Sequence, residues 1–133
     1  MKKLISSLIL SAVALATPVM AARHDSPDLQ LQKMLAGRVA GTPTECIPNA
    51  RWASSEIVDG KAIVFQVGST LYVNEPRSGA DQLDRDDILV TRTFGSQLCR
   101  IDSVKLIDRG SRFIRGFVIL DKFVPYTRPK RAG

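Results

Sequence analysis

The stretch Ile57-Val58-Asp59-Gly60-Lys61-Ala62-Ile63-Val64-Phe65-Gln66-Val67-Gly68-Ser69-Thr70-Leu71-Tyr72-Val73-Asn74 decides the fold class. β-Branched and aromatic residues fill it, and two turn signals interrupt it. Asp59-Gly60 suits the positive φ angles of a two-residue type I′ turn, and Gly68-Ser69 opens a second tight turn. Three short antiparallel strands are predicted, and the rest of the chain must extend or brace that meander.

Downstream, residues 88–94, 99–107 and 113–124 read as further strands. Gly95-Ser96 and Asp108-Arg109-Gly110-Ser111 are turns between them, Gly116 is a bulge or bend, and Pro125 is the stop. Five or six short strands, several apolar on both faces, predict a mainly β protein. The expected form is a small antiparallel meander closing into a barrel or half-barrel, with a two-sheet sandwich as the second arrangement. Upstream, Ser26-Pro27-Asp28 supplies an N-cap, a proline at the first helical position and an acid at the positive end of the helix dipole. One short N-terminal helix follows, with Leu31, Met34 and Leu35 on one face to dock on the sheet and Gly37 as its stop. Residues 38–49 read as a linker, and Trp52 as a core or rim residue.

Residues 1–21 show the charged, apolar and small-residue order of a secretory signal peptide: Met1-Lys2-Lys3, an apolar run from Leu4 to Leu15, then Thr17-Pro18-Val19-Met20-Ala21. Cleavage is expected after Ala21. The expected organisation is a signal peptide at 1–21, a leader with helix and linker at 22–45, a β-domain at 46–126 and a basic tail at 127–133. No transmembrane span is expected, because no run is long enough. Export to an oxidising compartment makes Cys46 and Cys99, the only two cysteines, a disulfide.

The chain carries 19 Lys and Arg against 13 Asp and Glu, and it stays basic once Lys2 and Lys3 leave with the signal peptide. An exported protein of that charge suits anionic envelope components such as phospholipid, lipopolysaccharide or peptidoglycan. Arg92, Arg100, Arg109, Arg112 and Arg115 are the expected contributors to an anionic-surface site, Arg109 and Arg112 because they flank a turn. The expected partner is such a component or another periplasmic protein, without nucleic acid; no cofactor is implied, and the oligomeric state is left open.

Catalysis has little to draw on. His24 is the sole histidine and lies outside the β-domain, so a Ser-His-Asp or Cys-His device within the fold is excluded. The aspartates Asp81, Asp84, Asp86 and Asp87 depart from the order of a calcium loop and have Arg85 among them. A carboxylate pair drawn from Glu45, Glu56, Glu75 and the aspartates leaves a hydrolase of envelope polymers as the alternative function. A third reading, inhibition of an exported enzyme, meets the objection that an inhibitor of a cationic lysozyme would profit from negative charge, and this chain is positive. If the mature chain starts at Ala22, then Ala22-Arg23-His24 places a histidine third from a free amine, the arrangement that binds Cu(II) or Ni(II) through four nitrogens.

Cys46-Ile47, Leu71-Tyr72-Val73-Asn74, Asp86-Asp87-Ile88-Leu89-Val90, Gln97-Leu98-Cys99-Arg100 and Phe123-Val124-Pro125-Tyr126, with the Ser55–Gly60 hairpin, form a pattern. The pattern resembles a group of small exported alphaproteobacterial, sphingomonad-like proteins of unknown function, over about residues 46–126. The resemblance implies a Gram-negative periplasmic setting and supplies no site residues.

Overall fold

The structure, a computed structural model, describes residues 12–18, 24–48, 53–93 and 95–130. The meander forms as β3 (Ser54–Val58), β4 (Ala62–Val67) and β5 (Thr70–Asn74). Val67 pairs with Thr70, so Gly68-Ser69 is a two-residue loop, and its positive φ at Gly68 (59°) matches a type II′ turn. The first turn is not type I′. Val58 pairs with Ala62 across a three-residue loop, closed by Lys61 N donating to Val58 O at 3.0 Å, and only Gly60 takes a positive φ (64°). Tertiary contacts set this shape. Gly60 N donates to Leu83 O at 2.9 Å, and the Asp59 carboxylate accepts from Arg85 N at 2.6 Å and Arg85 Nε at 2.7 Å.

β4 dictates the layering. Its side chains alternate between faces, yet Ala62, Ile63, Val64 and Phe65 are all buried, so both faces of its sheet must be covered. On one face, Val58, Ala62, Val64, Leu71 and Val73 pack beneath Leu31, Met34, Leu35 and Tyr126. Leu31 and Met34 belong to α1 (Pro27–Met34), which begins as its sequence requires, with Ser26 Oγ accepting from Leu29 N at 3.3 Å. Lys61 pins α1 to the sheet, bridging Asp28 (2.9 Å) and Glu75 (3.4 Å).

On the other face, Ile57, Ile63, Phe65 and Phe123 join Val104, Leu106, Val118 and Leu120 in the main core. The opposing layer is a three-stranded antiparallel sheet, β6 (Asp87–Thr91), β8 (Ser103–Asp108) and β9 (Ile114–Ile119), in the order β6-β8-β9. The meander sheet is five-stranded, β1-β10-β5-β4-β3, with β1 (Val39–Ala40) and β10 (Phe123–Thr127) added beside β5. β2 (Cys46–Ile47) and β7 (Leu98–Cys99) pair separately. They place Cys46 opposite Cys99, Cα atoms 4.0 Å apart, in the expected disulfide. Strand pairing does not close among the described residues; the two larger sheets face each other across the main core, an arrangement compatible with a half-barrel.

Several expected boundaries move. Residues 38–48, read as linker, contain β1 and β2, whose two-residue length leaves no periodicity to detect. Residues 99–107 are broken after Cys99, where Asp102 Oδ2 accepts from Cys99 N at 2.7 Å. Residues 113–124 are two strands in different sheets. Buried Asn74 holds the crossover between them, its Nδ2 donating to Asp121 O at 2.6 Å and its Oδ1 accepting from Asp121 N at 3.1 Å. Pro125 lies inside β10 rather than ending it. Its carbonyl accepts from Gly41 N at 2.7 Å, so its nitrogen also faces the short β1 side and costs β5 no ladder bond. Trp52 and Phe94 lie outside the described residues. No helix among the described residues is long and apolar enough to cross a membrane.

The disulfide closes a loop of sequence separation 53. Replacing both cysteines with serine is expected to lower unfolding free energy by up to about 4 kcal/mol, measured by urea denaturation. A loss below about 1 kcal/mol would show that β2–β7 pairing and the core hold the loop without the bond.

Candidate functional site

The three-stranded sheet spends its inner face on the core through Leu89, Val104, Leu106 and Val118. Alternation sends the intervening residues outward. Register aligns Val90, Lys105 and Phe117 in one outer row and Ile88, Ile107 and Ile114 in the next. Ile114 and Phe117 are more than half exposed and Val90 is 40% exposed. Neither row contains a carboxylate. Past the end of β6, Arg92 joins Val90, Thr91, Ser103 and Lys105 around a depression of about 300 Å³. Two cations and the Ser103 hydroxyl there offer hydrogen-bond donors to an anionic group.

The β8–β9 hairpin projects more of the same chemistry. Asp108 N donates to Phe113 O and Arg112 N to Asp108 O, both at 2.9 Å, and Asp108 Oδ1 accepts from Ser111 N at 2.6 Å. The Ser111 backbone N–H, aided by its hydroxyl, holds the Asp108 carboxyl below the ordinary 3.8. Arg112 takes φ 64°, the one positive φ at a non-glycine among the described residues. That conformation costs an L-residue about 1 kcal/mol. Phe113, beside it, is 77% exposed.

Gly116 sits next to the irregularity expected of it. Leu106 pairs with Gly116 but Ile107 with Ile114, so Arg115 is the extra residue of a β-bulge. The bulge turns Arg115 to the sheet end, where its Nε donates to Asp87 Oδ1 at 3.1 Å and its terminal nitrogen bonds Asp87 Oδ2 and Gln82 O. Asp87 is buried, and Arg115 compensates its charge.

The five arginines singled out from the sequence therefore divide. Arg115 is committed to Asp87, and Arg100 to Glu45, which also receives Lys122 at 3.4 Å. Arg109 Nε donates to Asp86 O at 3.3 Å. Arg92 and Arg112 have no carboxylate partner among the described residues. Lys105 joins them on the outer face, and sequence reasoning passed over it. Its signal was present: it alternates with the apolar Val104 and Leu106.

Three carboxylates line one cleft elsewhere. The cleft, of about 530 Å³, runs between β3 and β6, with Glu56 on one wall and Asp86 and Asp87 on the other. Arg85 borders it, bound to Asp59. Burial pushes the Asp59 carboxyl up, but the Arg85 hydrogen bonds and charge outweigh it and hold the group below 3.8. Glu45 and Glu75 lie away from this cleft, paired with Arg100 and Lys61. Among the described residues no three His, Cys, Asp or Glu side chains cluster as metal ligands. Ala22 and Arg23 of the amino-terminal motif lie outside the described residues, and His24 Nδ1 stands 3.3 Å from an Arg85 terminal nitrogen. No protein family, curated protein or solved structure matches this chain.

Arg115→Ala would strand the buried Asp87 charge. The expected loss is about 2–3 kcal/mol in urea denaturation, below the range for fully buried pairs because Arg115 itself is 38% exposed; a loss under about 0.5 kcal/mol would contradict the role given to the bulge. Because the folded-state pKa of Asp108 is depressed, its contribution is complete above 3.8 and disappears as pH falls through the lower folded value. An NMR titration of the Ser111 amide is expected to show a midpoint below 3.8, and a midpoint at or above it would be contrary.

Proposed function

We propose that this is a non-catalytic, exported periplasmic protein that binds an anionic component of the cell envelope through the outer face of the three-stranded sheet. The observation that carries the reading is the placement of Arg92 and Lys105 beside Thr91 and Ser103 in one depression, with no carboxylate in the adjoining outer rows. Cations so placed keep their charge available to a ligand, whereas Arg100 and Arg115 spend theirs on internal acids. Arg112 adds to the case. A glycine would hold φ 64° without strain, and an arginine there gives up some stability while presenting charge at the hairpin tip. The signal-peptide order of residues 1–21, the disulfide and the resemblance to exported alphaproteobacterial proteins support the periplasmic setting.

A hydrolase of envelope polymers is the second reading. The cleft between β3 and β6 favours it by setting Glu56 across from Asp86. Asp87, the most buried acid there, has its carboxylate already bound by Arg115. Loss of turnover on peptidoglycan in Glu56→Gln or Asp86→Asn would favour this reading; a binder has no turnover to lose.

Co-sedimentation with purified peptidoglycan at low and high salt tests the first reading. Arg92→Glu with Lys105→Glu is expected to weaken binding about tenfold or more at low salt and to flatten its salt dependence. Arg128→Glu with Lys130→Glu changes the net charge equally but lies beyond β10. If that pair weakens binding as much, overall charge rather than this face is responsible, and the assignment fails.

A further inference from the structure

The cations of the outer face are set among apolar side chains that the core does not use. Phe113, Ile114 and Phe117 fall within five residues of one hairpin and are 77%, 62% and 58% exposed. Phe117 stands opposite Lys105, which stands opposite Val90, and Ile114 adjoins Ile107 and Ile88 in the next row. Ile114 and Phe117 with Val90, Ile107 and Ile88 form one contiguous apolar surface, and Phe113 is exposed at the hairpin tip beside it; contiguous apolar surface marks a contact site, whereas single exposed apolar residues do not. A polar glycan strand would gain nothing from three large apolar side chains in water. An anionic amphiphile would gain from both parts of the face.

Resting on the anionic-surface reading above, we infer that this hairpin and sheet face form a peripheral docking site for an anionic phospholipid bilayer. Phe113, Ile114 and Phe117 enter the boundary between headgroups and acyl chains. Arg92, Lys105 and Arg112 stay at headgroup level, where their stems lie along apolar surface and their charges meet phosphates. Charge complementarity selects this occupant. Lys105 lies on the middle strand with no acid in either outer row, so a second copy laid on the same face would bring further cations and no acid to it. A bilayer of anionic headgroups presents negative charge at every point of the contact.

Vesicle flotation of the processed chain beginning at Ala22 tests this, with vesicles of mixed phosphatidylglycerol and phosphatidylcholine set against phosphatidylcholine alone. The wild-type protein is expected to float with the anionic vesicles and to remain unbound with the neutral ones. Phe113→Ser with Phe117→Ser is expected to reduce flotation about tenfold or more while leaving co-sedimentation with lipid-free peptidoglycan unchanged. Because both phenylalanines are exposed, circular dichroism and the urea midpoint should match wild type. Flotation unchanged in the double variant would overturn the inference. Wild type that pellets with peptidoglycan but does not float would overturn the inference and leave the anionic-surface reading standing; binding to neither would remove both. A wild-type dimer in size-exclusion chromatography that becomes monomeric in the double variant would instead make the face a subunit contact, which also overturns it.

Discussion

The structure depends on the double-sided burial of β4. Four consecutive buried apolar residues, Ala62 to Phe65, put apolar side chains on both faces of the central sheet. Each face then needs its own cover. α1 and Tyr126 supply one, and the three-stranded sheet supplies the other. Once the three-stranded sheet has spent Leu89, Val104, Leu106 and Val118 on that core, its outer face is left to solvent. The same layering that buries the core thus locates the exposed cations and aromatic residues of the β8–β9 hairpin.

Charge placement follows from local geometry rather than from composition. Arg100 and Arg115 differ from Arg92 and Arg112 in what stands near them. Arg115 is the extra residue of the β9 bulge, and its guanidinium reaches the buried carboxylate of Asp87 at the start of β6. The pairing commits one arginine to an internal acid and makes that buried acid tolerable. At the other end of the hairpin loop, the strained backbone of Arg112 does the opposite and keeps a cation exposed.

Much of the fold is legible in the sequence because alternation and turn residues report it directly. The meander, α1 with its Ser26 cap and Leu31–Met34 stripe, the disulfide, and the irregularity beside Gly116 all follow from local patterns. What escapes is set by distant contacts. Nothing near Asp59 reveals that Arg85 and Leu83 will fix a three-residue loop, and nothing near Pro125 reveals that its nitrogen faces a two-residue edge strand. For the proposed site, the sequence offers candidates but not their placement. A basic surface is visible in the composition, whereas sorting committed from available arginines requires knowing where Glu45 and Asp87 lie in space. Lys105 was recoverable from its place between Val104 and Leu106, since an outward residue of a half-covered sheet is a surface residue.

The central claim is that the outer face of the three-stranded sheet, and not the carboxylate-lined cleft, is where this protein meets its ligand. Amide chemical-shift mapping by NMR during titration with a short-chain anionic phospholipid tests it most directly, because both sites are read in one experiment. The largest shifts are predicted at residues 90–92, 103–105 and 112–117, with none at Ser55, Glu56 or Asp86. Shifts centred on Ser55, Glu56 and Asp86, with the outer face silent, would contradict the account.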